Sequence, residues 1–233
     1  MRVVFMVACL VLSVALAAQT RKTYIVRAGE IPVDVLPVEA VYSFPHFKKG
    51  IVYMRDGTTT SQLLNYNLAL DEMHFISGKK DTLAIATPEA VKYIAFDSTS
   101  FYFDKNYFEV LFKEEENKLA IRQFLLQTPY GKRSAFNISS SISSIDTYSN
   151  TFNNGRMAKL QIAKDVEMEK KLIYFIGDRF NHFYPADKKF FHKIFPGKKV
   201  ELDTFLKLHH VNFYNINELI ELMKFCTAAK TDG

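Results

Sequence analysis

From about Tyr24 to Gln127 the chain falls into short apolar or alternating runs, spaced about 8–12 residues apart and separated by turn residues. That spacing leaves no room for crossover helices, so it points to an antiparallel sheet and away from a doubly wound parallel one. The runs are Gly50–Met54, Ser61–Tyr66, Met73–Ile76, Thr82–Ala86, Val91–Phe96, Phe101–Phe103, Tyr107–Phe112 and Leu119–Leu126. Between them fall Asp56-Gly57, the stretch from Ser77 to Asp81, Asp97 to Ser100, and Glu114 to Asn117. Each has turn chemistry: Gly and Asn tolerate positive φ, and Asp and Ser side chains bond nearby backbone. Met157–Ile162 and Lys171–Ile176 are two further strand candidates that would complete the sheet.

The last fifty residues change period. Phe190, Phe191, Ile194 and Phe195 form one apolar face that Pro196-Gly197 terminates, and Leu202, Phe205, Leu206 and His209 continue it on a second helix. Asn215 followed by Glu218 resembles a capping box, with Ile216, Leu219, Ile220, Met223 and Cys226 at helical spacing behind it. Amphipathic helices need a surface to cover, and the strands ahead of them supply one. The expected class is α+β: an antiparallel β-rich body, as a curved meander, sandwich or partial barrel, followed by C-terminal amphipathic helices. The body spans 18–185, with a Ser/Asn-rich, nearly uncharged loop at 131–155, and the helices span 186–229.

The first residues read as a leader. Arg2 precedes an uncharged run from Val3 to Ala18, then Gln19, Thr20 and Arg21 follow. This is the layout of a signal peptide at 1–17, with Ala15 and Ala17 forming an A-x-A cleavage site and Ala18 as the alternative end. The run is shorter than the roughly 20 residues a spanning helix needs, so no transmembrane span is expected after cleavage. Met6-Val7-Ala8-Cys9 faintly resembles a lipobox, but its Cys lies near the start of the apolar run rather than its end. Cleavage removes Cys9 and leaves Cys226 as the lone thiol, so no intramolecular disulfide is expected in the mature chain. It also lowers the formal charge from +5 to +4 by removing Arg2.

That modest basicity comes from scattered lysine pairs such as Lys48-Lys49, Lys79-Lys80 and Lys170-Lys171. Nucleic acid is not an expected partner, because its footprint is clustered Arg with interleaved aromatics. The six histidines, His46, His74, His182, His192, His209 and His210, include no ligand run such as H-E-x-x-H, so no metal or cofactor is expected. Asp178 and His182 stand four apart between Gly177 and Pro185, in a segment that reads as a loop. No Gly-x-Ser-x-Gly elbow is present, and the acidic run Glu114-Glu115-Glu116 reads as a solvated hairpin tip rather than a catalytic pair. Nothing in the residues favours an enzyme, although a site assembled in space leaves no local signature.

The most distinctive short stretch is Leu64-Asn65-Tyr66-Asn67-Leu68. Asn65, Tyr66 and Asn67 are the candidates for binding a polar ligand, set against the commoner use of Asn to close turns. The 21 Phe and 12 Tyr, with no Trp, suit either an apolar ligand cavity or an ordinary core.

Taken with the leader, the FKKGIVYMRDG, LLNYNLALDEMHFI, DTLAI and YFEVL segments and the KKFFHKIFPGKK and VNFYNINELIELMKF stretches resemble an uncharacterised exported protein family of Bacteroidota. The resemblance implies export and the order of strands before helices, and it carries no catalytic or ligand residue. The expectation is a non-enzymatic periplasmic or cell-envelope protein that binds an apolar small molecule or an envelope protein. The alternatives are a hydrolase with a spatially assembled site, or a structural envelope component that pairs through a sheet edge.

Overall fold

The computed structural model describes residues 22–130 and 162–228. The leader, the Ser/Asn-rich loop 131–155 and all but the last residue of the Met157–Ile162 run lie outside the described residues. Ile162 itself is buried and not part of a strand.

The chain enters through β1 (Thr23–Val26) and two one-turn helices, α1 (Pro32–Val35) and α2 (Val38–Val41). Pro32 sits at the first helical position, where its fixed φ suits the turn and its missing N–H costs nothing. Then come β2 (Lys48–Met54), β3 (Thr59–Asn67), β4 (Glu72–Ile76), β5 (Thr82–Ala84), β6 (Val91–Ala95), β7 (Ser100–Asp104), β8 (Asn106–Glu114) and β9 (Asn117–Pro129). β10 (Val166–Gly177) and the short β11 (Phe183–Pro185) complete the strands. The helices α3 (Lys188–Ile194), α4 (Lys199–His209) and α5 (Ile216–Thr227) follow. The expected α+β class, an antiparallel sheet with C-terminal helices, is what the structure has.

All strands among the described residues join one antiparallel sheet in the order β1-β10-β9-β8-β7-β6-β2-β3-β4-β5, with β11 paired to β10. The order leaves a plain meander at β6, which returns to pair with β2 instead of extending from β5. Three of the turns foreseen from Gly, Asn, Asp and Ser do adopt positive φ, at Gly57, Lys80 and Glu115. The residue that takes the left-handed conformation is not always the one propensity favours. Lys105, between β7 and β8, also has φ 62°, because a tight connection fixes the backbone and the side chain must follow.

The sheet curls. The Leu125 amide of β9 donates to the Leu68 carbonyl just after β3 at 2.9 Å, although four strands separate β9 from β3 in the sheet order. The curl encloses a first core that includes Val52, Leu64, Tyr66, Met73, Ile94, Phe101, Leu125 and Met168. A second core lies where the helices cover the other end of the long strands, joining Leu119 and Ile176 to Phe191, Leu202, Leu219, Leu222 and Met223. α3 is capped by Asp187, whose carboxylate accepts from the Phe190 amide at 2.9 Å. The expected Asn215–Glu218 capping box takes a modified form. Asn215 Oδ1 accepts from the Asn217 amide, while the Glu218 carboxylate accepts from the Asn215 side chain at 2.8 Å and from the Asn212 amide.

Candidate functional site

The Asn65-Tyr66-Asn67 stretch lies at the buried end of β3, and each side chain there is engaged. Residues 41–43 run beside the end of β3, with Leu68 N donating to Val41 O and Ser43 N to Tyr66 O, before the chain bulges and re-enters the ladder at Lys48 opposite Leu64. Asn65 fills the interruption: its Oδ1 accepts from the Phe44 amide at 3.1 Å and its Nδ2 donates to the Phe44 carbonyl at 2.8 Å. The side chain thus supplies both bonds of a missing backbone rung. Asn67 Oδ1 accepts from the Ala69 and Leu70 amides at 2.9 and 3.0 Å, closing the turn into β4. The Tyr66 hydroxyl donates to Asp71, which also accepts from Arg122 Nη2 at 2.8 Å. Burial first, then the Asp71 charge, holds the Tyr66 proton well above its ordinary range.

Beside this hairpin the structure joins a histidine to an acid. His74, fully enclosed, has Glu72 Oε2 at 3.1 Å from Nε2 and the Tyr42 hydroxyl at 3.1 Å from Nδ1. Both ring nitrogens are therefore occupied. Two other imidazoles approach carboxylates, His182 to Asp104 at 3.8 Å and His192 to Asp203 at 3.2 Å. Among the described residues no Ser, Thr or Cys hydrogen-bonds to a histidine, and no group of three His, Cys, Asp or Glu side chains is arranged to hold a metal ion. Asp178 and His182 form a turn, in keeping with the loop that Gly177 and Pro185 bracket. The Asp178 carboxylate accepts from the Phe180 and His182 amides at 2.8 and 3.0 Å.

A second polar cluster, unforeseen from the sequence, lies midway along the long strands. Residues directly opposite in an antiparallel pair share a face, so the register assigns one face of β7 to β10 row by row. Leu119 and Ile176 form a row under the helices. The next row holds Phe101, Glu109, Ile121 and Tyr174. After it come Gln123 opposite Leu172, then Leu125 opposite Lys170, and then Met168 in the first core. The middle rows thus carry Glu109, Gln123 and Lys170 between the two cores, together with Leu172, which is 53% exposed.

Glu109 Oε2 accepts from Gln123 Nε2 at 3.1 Å. Burial raises the Glu109 pKa, against the opposing pull of Gln123, Thr99 and the charges of Lys170 and Lys48. Lys170 is lowered by the same desolvation, while Glu109 opposes that shift. Lys170 is itself exposed to solvent. Lys48 approaches from β2 with its ammonium 4.3 Å from the centre of the Phe44 ring. Neither lysine forms an ion pair with Glu109 within 4.0 Å. Glu109, Gln123 and Lys170 thus share this face with the exposed Leu172.

On the opposite face of the sheet, Tyr53, Tyr93 and Tyr102 stack in a ladder across β2, β6 and β7, with ring centroids 4.4 and 5.6 Å apart. Their strand neighbours Val52, Ile94 and Phe101 point into the first core. Among the described residues no helix is long and apolar enough to cross a membrane. No protein-family model, curated protein or solved structure matches the chain.

Proposed function

We propose that the chain is an exported, non-enzymatic binding protein of the periplasm or cell envelope, holding a small ligand with apolar character on the inner face of a curled, partial-barrel sheet. One observation carries this reading: the register sets Glu109, Gln123 and Lys170 in mid-face between the two cores, beside Leu172, which is 53% exposed. Polar and charged side chains set among apolar rows, with an exposed leucine beside them, are the mixed lining a small-molecule site presents. Export is supported by the leader at 1–17.

The hydrolase alternative draws less support, because the most enclosed histidine, His74, has both nitrogens satisfied by Tyr42 and Glu72. Pairing through a sheet edge draws less still, since the terminal strands β1 and β5 have only four and three residues. The Tyr53-Tyr93-Tyr102 ladder favours a second reading, in which an envelope protein docks on the outer face.

Native mass spectrometry of protein purified from the envelope tests the ligand reading. A non-covalent adduct that is lost on Glu109→Ala with Lys170→Ala supports it. A clean apo mass from a folded sample, together with no uptake of added amphiphiles, overturns it. N-terminal sequencing tests export: a start near Ala18 or Gln19 is expected, and a start at Met1 refutes the cleaved leader.

A further inference from the structure

We propose that Ala18 to Lys22, the stretch left ahead of β1 once the leader is removed, extends β1 along a notch in the edge of β10 and closes that edge. This inference rests on the export reading above, because the leader must be gone before the segment fits.

The notch follows from the register. β10 pairs with β9 along its whole length on one side. Its other side is shared by β1, which starts at Thr23 opposite Glu169, and β11, which ends at Pro185 opposite Phe175. Lys170 to Tyr174 face neither strand. Alternation fixes which backbone groups lie open there. Asp165 O accepts from Tyr130 N on the β9 side, and Tyr174 O accepts from Ala186 N on the β11 side. Odd-numbered residues of β10 therefore bond to β9, and even-numbered ones turn to the outer edge. Pro129 and Pro185, which lack an N–H, both fall at non-bonded pairs, as this phase requires.

The same phase leaves the Lys170 carbonyl, the Leu172 amide and carbonyl, and the Tyr174 amide without a hydrogen-bond partner among the described residues. Leu172 is 53% exposed where no strand lies beside it. Bare backbone on a strand edge is a template for any extended chain that reaches it.

The chain's own continuation reaches it first, because it is tethered to β1. Cleavage after Ala17 leaves Ala18, Gln19, Thr20, Arg21 and Lys22 ahead of Thr23. Continuing the β1 register sets these five opposite Tyr174, Ile173, Leu172, Lys171 and Lys170, the residues that separate Glu169 from Phe175. The segment and the notch match in length. With the leader still attached, a chain on this line would run into Pro185. Thr20, a β-branched residue, takes the position that exchanges both backbone bonds with Leu172. Arg21 comes to lie diagonally across from Glu169 on one face. Lys22 meets the like charge of Lys170, a cost limited by the exposure of both and by Glu39 Oε1 at 3.9 Å from the Lys22 ammonium.

Hydrogen exchange read residue by residue tests the pairing on a chain that begins at Ala18. The Leu172 amide is expected to exchange at least about tenfold more slowly than in Thr20→Pro, whose ring removes the N–H that Leu172 O would accept. Thr20→Val should keep the slow rate. The Ile176 amide, in the adjoining β11 ladder, should be equally protected in all three and so report an intact fold. Equal Leu172 exchange in wild type and Thr20→Pro, with Ile176 protected, overturns the extension. Fast exchange in both would mean an open notch, and slow exchange in both would mean that a different chain fills it. Either result leaves export standing. N-terminal sequencing of envelope protein reads the other premise: a start at Met1 refutes cleavage, and closure by cleavage with it, even where the chain beginning at Ala18 pairs.

Discussion

Arg122 of β9 donates to Asp71, in the turn between β3 and β4, at 2.8 Å, across a sheet that places four strands between β9 and β3. The pair clamps the curl. Arg122 is 4% exposed and Asp71 also holds the Tyr66 hydroxyl, so removing the carboxylate charge strands a buried guanidinium. Asp71→Asn keeps a residue that tolerates φ 56° and changes only the charge. We expect a loss of about 3 kcal/mol in urea unfolding, and Asp71→Asn combined with Arg122→Leu should recover part of it. A loss under about 0.5 kcal/mol would show that the clamp contributes little.

Asn65 is a backbone surrogate for Phe44 in the structure, so its replacement should affect stability and leave ligand uptake unchanged. Asn65→Ala leaves a buried amide and carbonyl unpaired, at a cost of about 2 kcal/mol. Asn65→Asp retains the acceptor but sets a second acceptor against the Phe44 carbonyl, and should cost at least as much. Unchanged thermal unfolding with lost binding would instead make Asn65 a ligand contact.

Strand positions were largely legible from the sequence, because alternation and turn chemistry both act within a few residues. β1 and β11 were not, since a four-residue and a three-residue strand exist only by pairing with β10. The full lengths of β9 and β10 were hidden for the same reason: Val166 to Lys170, outside the strand candidates, join the ladder by pairing with residues 125–129. Asn65 and Asn67 stood out as residues but not in their partners, which lie on a chain segment about twenty positions away in one case and next door in the other. Glu109 left one trace, a lone charge within Tyr107-Phe108-Glu109-Val110-Leu111-Phe112. Its connection to Lys170 and Lys48 depends on register, which no local pattern carries.

The raised Glu109 pKa makes stability depend on pH with a definite sign. The folded state holds the Glu109 proton more tightly than the unfolded chain, whose glutamates titrate near about 4.3. Its contribution to stability is therefore complete below that value and is lost as pH rises through the folded pKa. Comparing chemical unfolding of wild type and Glu109→Gln from about pH 4 upward should show the wild type losing ground to the variant. A constant difference over that range would remove Glu109 from its desolvated position.

Gly177 gives a steric test. A Cβ there would meet Phe183 Cε1 at 2.8 Å, where that ring stacks on Phe108 with centroids 4.4 Å apart. Gly177→Ala should cost about 1–3 kcal/mol by displacing the ring, and Gly177→Ala with Phe183→Leu should cost less than the two changes added. Strict additivity would mean that the two positions do not touch.

Burial pushes the Cys226 thiol up to about 12, so the thiolate that attacks disulfide reagents is scarce at neutral pH. Native protein should react with Ellman's reagent only as fast as it opens, and unfolded protein at once. Rapid labelling of the native protein would place Cys226 outside the second core.

β9 and β10 are paired from Val166 opposite Pro129 to Gly177 opposite Lys118, and this one ladder floors both cores. Peeling off the helices exposes Leu119 and Ile176, which stiffen the same two strands that close over Leu125 and Met168. Neither half can melt without loosening its neighbour's foundation. Heat or denaturant should therefore meet one cooperative unit, and circular dichroism of the helices and fluorescence of the sheet tyrosines should fall together.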